Sequence, residues 1–292
     1  MCVFVSLHLP PKRIAALAVA AAVLVCALAW PSPAVTVSGE TAVTVPVVMY
    51  HSLLRDAARQ GAYVIDPSLF ESDLAWLRDN GYTAVTVSDL VAYVQNGTPL
   101  PARCVVLTFD DGYYNNYLYA FPLLERYDMK LVLSPIVRQS EIFSERDGGH
   151  AGYSHVTWDE LSEMAASGRV ELACHSYDMH ALTVRRGILR RKGESAEAYA
   201  AALKADIGRA QELLYAHVGV RPACFTYPFG AVSAEAAALV REMGFAATLG
   251  CEEKVNRLTR DPECLYGLGR YRRPHDMTAA QFFEQKIGLK GG

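Results

Sequence analysis

The stretch "VVLTFDDGYYNNY", residues 105–117, decides how this chain is read. Five apolar or β-branched residues, Val105 to Phe109, form a buried strand pattern, and two carboxylates, Asp110 and Asp111, stand side by side at its end. Adjacent side chains at a strand end diverge, so the two can do different work: one binds a cation while the other holds a water as general base. Close together they raise each other's proton affinity unless a cation relieves them. Gly112 allows a tight turn. Asp111 as the N-cap of a following helix would explain one Asp but not two.

Working outward, β-branched runs alternate with amphipathic helical windows. The runs are 44–50, 83–87, 104–109, 131–137, 169–174, 223–227 and 245–250; helices are expected from Pro67 to Asp79, Ser88 to Gln95, over 114–127 and 157–167, from Glu194 to His217, over 233–244 and from Thr278 to Ile287. Such alternation implies parallel strands with helices outside, as a barrel or a doubly wound sheet. About seven repeats favour the barrel, so the expected fold class is α/β, a distorted (β/α) TIM-like barrel of about seven parallel strands in a single domain over 43–292.

Bulk properties narrow the function classes. Lys and Arg number 28 against 31 Asp and Glu, a net charge of -3 without long runs of one sign, so no electrostatic footprint for nucleic acid is present. No Gly-rich fingerprint follows the first strand, which removes the simplest support for a nucleotide. At the N-terminus Lys12 and Arg13 precede an uncharged apolar stretch, Ile14 to Trp30, with a small-x-small site at Ala27-Leu28-Ala29. Residues 1–30 are therefore expected to be a signal peptide or membrane anchor, 31–42 a linker, and the protein exported, with membrane contact through 14–30 if they are retained. Cys104, Cys174 and Cys224 lie in strand-like runs and read as small core residues, whereas Cys251 and Cys264 flank a loop and could pair.

Four polar clusters follow predicted strands: Tyr50-His51-Ser52, Asp110-Asp111-Gly112, His175 to His180, and Tyr227-Pro228-Phe229-Gly230. In parallel α/β barrels the loops at the carboxyl ends of strands share one face, so these clusters are expected to converge. His175 and His180, five apart on a loop, can point at one centre and, with a carboxylate, make a two-nitrogen, one-oxygen site with open positions. A lone His pair is more often a strand-end residue and a surface residue. Calcium would want more oxygens than this stretch supplies, which favours a borderline metal such as zinc. Tyr113, Tyr114, Tyr117 and Trp158 offer sugar-stacking surfaces, although aromatics at helical spacing more often belong to a core.

"LTFDDGY", "HSYDMH" and "FTYPFG" resemble, in order, the first three motifs of the polysaccharide deacetylase family, the NodB-homology or carbohydrate esterase family 4 domain. "PVVMYHSLL" at 46–54 is similar to the branch that deacetylates poly-N-acetylglucosamine exopolysaccharide. The resemblance implies a hydrolase that removes N-acetyl groups from an N-acetylglucosamine-containing polysaccharide, whether exopolysaccharide, peptidoglycan or chitin-like. It implies Asp110 as catalytic base and Asp111, His175 and His180 as ligands of a divalent metal, zinc before cobalt or nickel, with an oxyanion held near Tyr227. His51 is expected to line the pocket or orient Asp110. Two positions depart from the pattern. Thr226 stands where many members carry Arg, so the usual partner of the base is missing, and "RYRRPHDMT" leaves His275 as the nearest candidate for the general acid. These departures keep a second expectation alive, a catalytically inactive glycan-binding protein on the same fold.

Overall fold

In a computed structural model of the chain, residues 42–146 and 148–291 are described. The expected signal peptide or anchor, and the linker up to Thr41, lie outside the described residues. Among the described residues ten strands pair in parallel; apart from a short separate pair, Ser52–Leu53 with Val64–Ile65, they are β1 (Val47–Tyr50), β2 (Thr83–Ala84), β3 (Cys104–Asp111), β4 (Leu131–Pro135), β5 (Val170–Leu172), β6 (Cys224–Thr226), β7 (Ala247–Leu249) and β8 (Tyr271–Arg272). Continuous pairing runs β8-β1-β3-β4-β5 with β2 joined to the start of β3, while β6 pairs with β7. Single parallel bridges, Cys174 to Phe225 and Leu249 to Leu268, link the two sheets. The architecture is α/β with a parallel sheet, and the expected closed barrel goes beyond the continuous pairing.

β3 explains the plan. All eight of its residues are buried, because the two faces serve different cores. Val105, Leu107 and Phe109 face the helices, packing with Phe70, Leu74, Leu124 and Leu161. Cys104 and Val106 face the other way, into a smaller cluster with Val47, Val132, Cys224, Ala247 and Leu249 from four other strands and Ala173 just past β5. Alternation at period two carries Thr108 and Asp110 along this second face.

The helices start where local chemistry allows. Pro67–Asp79 (α1) opens with Pro at its first position and Asp66 accepting from the Ser68 amide. Val87–Asn96 (α2) and a later helix at Trp158–Ala166 have reciprocal capping boxes, Thr86 with Asp89 and Thr157 with Glu160. This chemistry corrects two expectations. The strand expected over 83–87 stops at Ala84, because Thr86 caps α2, and the run expected over 131–137 yields at Pro135 to a helix, Val137–Ser144. The run at 44–50 is divided at Pro46, which has no N–H for a ladder: Val43–Val45 pairs antiparallel with Asn256–Leu258, and β1 pairs with β3. Nothing in the sequence pattern announced β8, which is two residues long.

A fully buried ion pair ties β8 to α1. Arg273 Nε and Nη2 donate to the two Asp73 carboxylate oxygens at 2.8 and 2.9 Å, and Tyr50 Oη donates to Oδ2 at 2.9 Å. A buried pair adds little net stability, but removal of one partner leaves an uncompensated charge. Asp73→Ala is therefore expected to cost about 3–5 kcal/mol in urea unfolding, and the double change Asp73→Leu with Arg273→Met to cost clearly less. Equal losses in the two proteins would refute this account.

Candidate active site

The loops after β1, β3 and β5 and the ends of β7 and β8 border one cleft of about 960 Å³. His51, Asp110, Asp111, Tyr113, His175, His180, Phe229, Cys251 and Arg272 line it.

Asp110 and Asp111 separate because the backbone turns between them. Asp110 continues the inner face of β3, whereas Asp111 has φ +67°, a left-handed conformation that a non-glycine residue adopts only when its surroundings impose it. Gly112 follows at φ +70°, where an added Cβ would stand 2.8 Å from the Pro135 Cβ, so only glycine fits the turn. Asp111 Oδ1 then faces His180 Nε2 at 3.3 Å and His175 Nε2 at 3.6 Å.

Local bonds fix the histidines. His175 Nδ1 donates to the Thr226 carbonyl at 2.8 Å, which leaves Nε2 as the free lone pair. Ser176, at φ +69°, turns the chain, and Asp206 accepts from the amides of Tyr177 and Asp178, each at 2.9 Å. His180 is thereby brought back beside His175, ring centroids 4.9 Å apart.

This trio fits a divalent cation. Its ligand atoms lie within 4.8 Å of one another, and Asp111 Oδ1 is buried with no hydrogen-bond partner, a costly state without a cation. Burial, with the charge of Asp110 adding to it, pushes the Asp111 carboxyl up to about 6, and burial holds the His175 imidazole down to about 3, so it is neutral and able to ligate.

The largest difference from the sequence reading concerns Asp110. The arginine missing from the third motif comes from the far end of the chain: Arg270, just before β8, donates Nη1 to Oδ1 at 2.7 Å and Nη2 to Oδ2 at 2.8 Å. Its Nε donates to the Gly250 carbonyl at 2.7 Å and Nη1 also to Thr108 Oγ1 at 3.1 Å. Burial alone would raise the Asp110 carboxyl, but the charge and paired bonds of Arg270 outweigh it and hold the group well below the usual carboxylate range. Thr226 instead spends its hydroxyl on Ser134 at 2.7 Å and its carbonyl on His175. A signal was available in "GRYRR", three arginines in four residues without a helical pattern, yet nothing local says which one turns inward.

The other expected residues divide. His51 lines the cleft with Nε2 3.8 Å from Asp110 Oδ2, and its buried Nδ1 has no partner. His275 is exposed and is not among the residues lining the cleft, because Arg273 is drawn inward to Asp73 and Pro274 leads the chain out to the surface. Tyr227 is buried outside the cleft lining, and its amide already donates to the Leu249 carbonyl at 3.0 Å, so it is not free for an oxyanion. Of the aromatics, Tyr113 lines the cleft, whereas Trp158 stacks on His217 and Tyr117 on Phe121. Cys251 and Cys264 are free thiols, not a disulfide: Cys251 faces Arg270 Nη2 at 3.8 Å and Cys264 the Thr259 carbonyl.

Arg270→Met tests the electrostatics. In the native protein the depressed Asp110 carboxyl contributes stability that is present above its unfolded value near pH 4 and lost as pH falls toward the folded value. Without the guanidinium, burial raises the carboxyl, and the sign reverses. The variant is expected to lose about 3–5 kcal/mol at pH 7.5 and markedly less at pH 4.5 by denaturant unfolding. A deficit independent of pH would argue against Asp110 as the group stabilised.

Comparison with known proteins agrees with this geometry. The family model described as polysaccharide deacetylase matches residues 97–248, just over half of the chain. A poly-beta-1,6-N-acetyl-D-glucosamine N-deacetylase of Escherichia coli K12 is 27% identical over 223 residues, covering 68% of this chain and 32% of the relative. An enzyme of the same name from Staphylococcus aureus MRSA252 is 24% identical over 192 residues, 66% of this chain and 62% of the relative. The chain thus spans about a third of the first relative's length and less than two thirds of the second's. Among solved structures, a de-N-acetylase from Aggregatibacter actinomycetemcomitans aligns with TM-score 0.71 at 26% identity over 85% of this chain and 100% of that one. IcaB from Ammonifex degensii aligns at 0.66 and 24% identity over 84% and 96% of the two chains, and shares the fold. With its paired aspartates and two histidines inside the matched region, the chain belongs to the polysaccharide deacetylase family.

Proposed function

We propose that this protein is a metal-dependent hydrolase that removes N-acetyl groups from an N-acetylglucosamine polymer, releasing acetate and a glucosamine unit. The observation that carries the reading is a buried carboxylate, Asp110, held ionised by Arg270 beside the Asp111, His175 and His180 cluster at the floor of a cleft. The names of the E. coli and S. aureus relatives make poly-β-1,6-N-acetylglucosamine the favoured substrate. An inactive binding protein was suggested by the missing arginine and the uncertain acid; Arg270 answers the first, and the second rests on the assignment of His51.

Asp111, His175 and His180 would hold the metal, zinc being the first choice for a two-nitrogen, one-oxygen set. A bound divalent cation would polarise the acetamide carbonyl and raise the acidity of a nearby water. Asp110 takes the proton from that water as its oxygen bonds to the carbonyl carbon. The carbon–nitrogen bond then breaks, and the leaving nitrogen needs a proton. The proton that Asp110 took from the water is passed on to it, with His51, whose Nε2 lies 3.8 Å from Asp110 Oδ2 and whose imidazole is held neutral by burial, assigned as the relay in place of His275. The Arg270 guanidinium keeps Asp110 from retaining a proton between turnovers.

Two further readings accompany this one. The bridges at Cys174–Phe225 and Leu249–Leu268, with the ring of inward residues from Val47 to Leu268, support a distorted barrel closed through weak joints. The apolar N-terminal stretch supports export.

Acetate release from β-1,6-linked N-acetylglucosamine oligomers is the direct test. Turnover is expected to vanish on chelation and to return with zinc, cobalt or nickel. Asp110→Asn should lower kcat about 10²–10⁴-fold at unchanged metal content, and His180→Ala should lose both. A metal-loaded protein that releases no acetate from any N-acetylglucosamine polymer would exclude the reaction.

A further inference from the structure

Deacetylation converts a neutral sugar into a cationic amine, so the charges lining the cleft decide how the polymer's own products are received. The inference below rests on the deacetylation reading. At the cleft floor Asp110 is matched by Arg270, and Asp111 belongs to the ligand cluster. On one wall Glu253 pairs with Lys286 Nζ at 2.7 Å and accepts from the Arg272 amide at 3.0 Å, so that carboxylate and ammonium cancel. Two guanidinium groups are left over, Arg186 and Arg272. Both line the cleft, and neither forms an ion pair among the described residues.

Their neighbours sharpen the contrast. In the segment after His180, Arg185 and Arg191 are bound to Glu194 and Arg190 to Glu235, leaving Arg186 as the cation that meets the cleft. Arg272 lies with Cζ 5.3 Å from the centroid of the Tyr63 ring, which packs edge-on against His51. Tyr63 is 53% exposed, an aromatic surface able to carry a pyranose ring, so one surplus cation sits where a flanking sugar would rest.

We propose that Arg186 and Arg272 make the cleft discriminate against sugar units that have already lost their acetyl group, so that new amines arise at spaced rather than adjacent positions along the polymer. A glucosamine ammonium in a flanking position meets two uncompensated like charges, whereas an N-acetyl unit in the same position meets none of this repulsion. At surface dielectric, each cation is worth roughly two- to fivefold in occupancy, an effect that about 1 M salt, with a Debye length of about 3 Å, should largely remove.

The experiment reads the pattern and the binding separately. The wild-type protein partially converts β-1,6-linked N-acetylglucosamine oligomers at low salt, and tandem mass spectrometry counts adjacent glucosamine pairs. They are expected at no more than about half the random frequency. Arg186→Glu with Arg272→Glu should bring the frequency to random or above, and the neutral changes Arg186→Gln and Arg272→Gln should fall between, each variant being checked by thermal unfolding. Independently, calorimetric titration of Asp110→Asn protein compares an acetylated pentamer with one carrying a single glucosamine. A several-fold preference for the first that disappears on charge reversal supports the proposal. Random placement by the wild type, or a binding preference that charge reversal leaves unchanged, overturns it while deacetylation stands. A charge-dependent binding preference without acetate release upholds the discrimination and overturns the deacetylation reading.

Discussion

A carboxylate taken fully out of water is unstable unless something replaces its hydration, and the active face of this protein depends on how that is done for Asp110. Arg270 presents both Nη atoms to the two carboxylate oxygens, while Nε and the remaining Nη donors reach Gly250, Thr108 and Cys251. Every donor group of the guanidinium is engaged, which is the condition under which a buried pair is tolerated. Asp110 thus stays ionised although it is buried.

The short strand β8 serves more than this one contact. It is preceded by Arg270 and followed by Arg273, and the two go to different partners, Asp110 in β3 and Asp73 in α1. Two residues of strand, pairing with β1, therefore place the partner of Asp110 and lock a covering helix. Economy of this kind has a consequence for the cleft. Arg272, between them on the exposed side, cannot turn inward and remains over Tyr63 as a surplus cation.

Separation of the two adjacent aspartates is a backbone event. Asp110 keeps strand geometry and looks inward; Asp111 adopts a left-handed conformation and looks toward the histidines. Strain stored there is offset by the turn at Gly112 and by the Asp111 carbonyl, which accepts from the Ile136 amide and from His155 Nδ1. The same device recurs at Ser176, the other non-glycine turn that aims a metal-type ligand.

Much of this protein could be read from its sequence, because the relevant signals are local. The apolar run of 104–109, the helix start at Pro67 and the short motifs that carry Asp110, Asp111, His175 and His180 are each set by residues close in the chain, and the strand-helix alternation gave the α/β class. What tertiary structure alone decided is non-local. The partner of Asp110 lies 160 residues away, and only the pairing of β8 with β1 brings it there. His275 sits in the right motif-like segment but is carried outward, and the Tyr227 amide is consumed by Leu249, both results of where neighbouring backbone runs. Residue types fixed which chemistry was available. Which arginine turns inward is decided by long-range strand pairing and by the cost of leaving a buried charge alone, and neither is written in any short window of sequence.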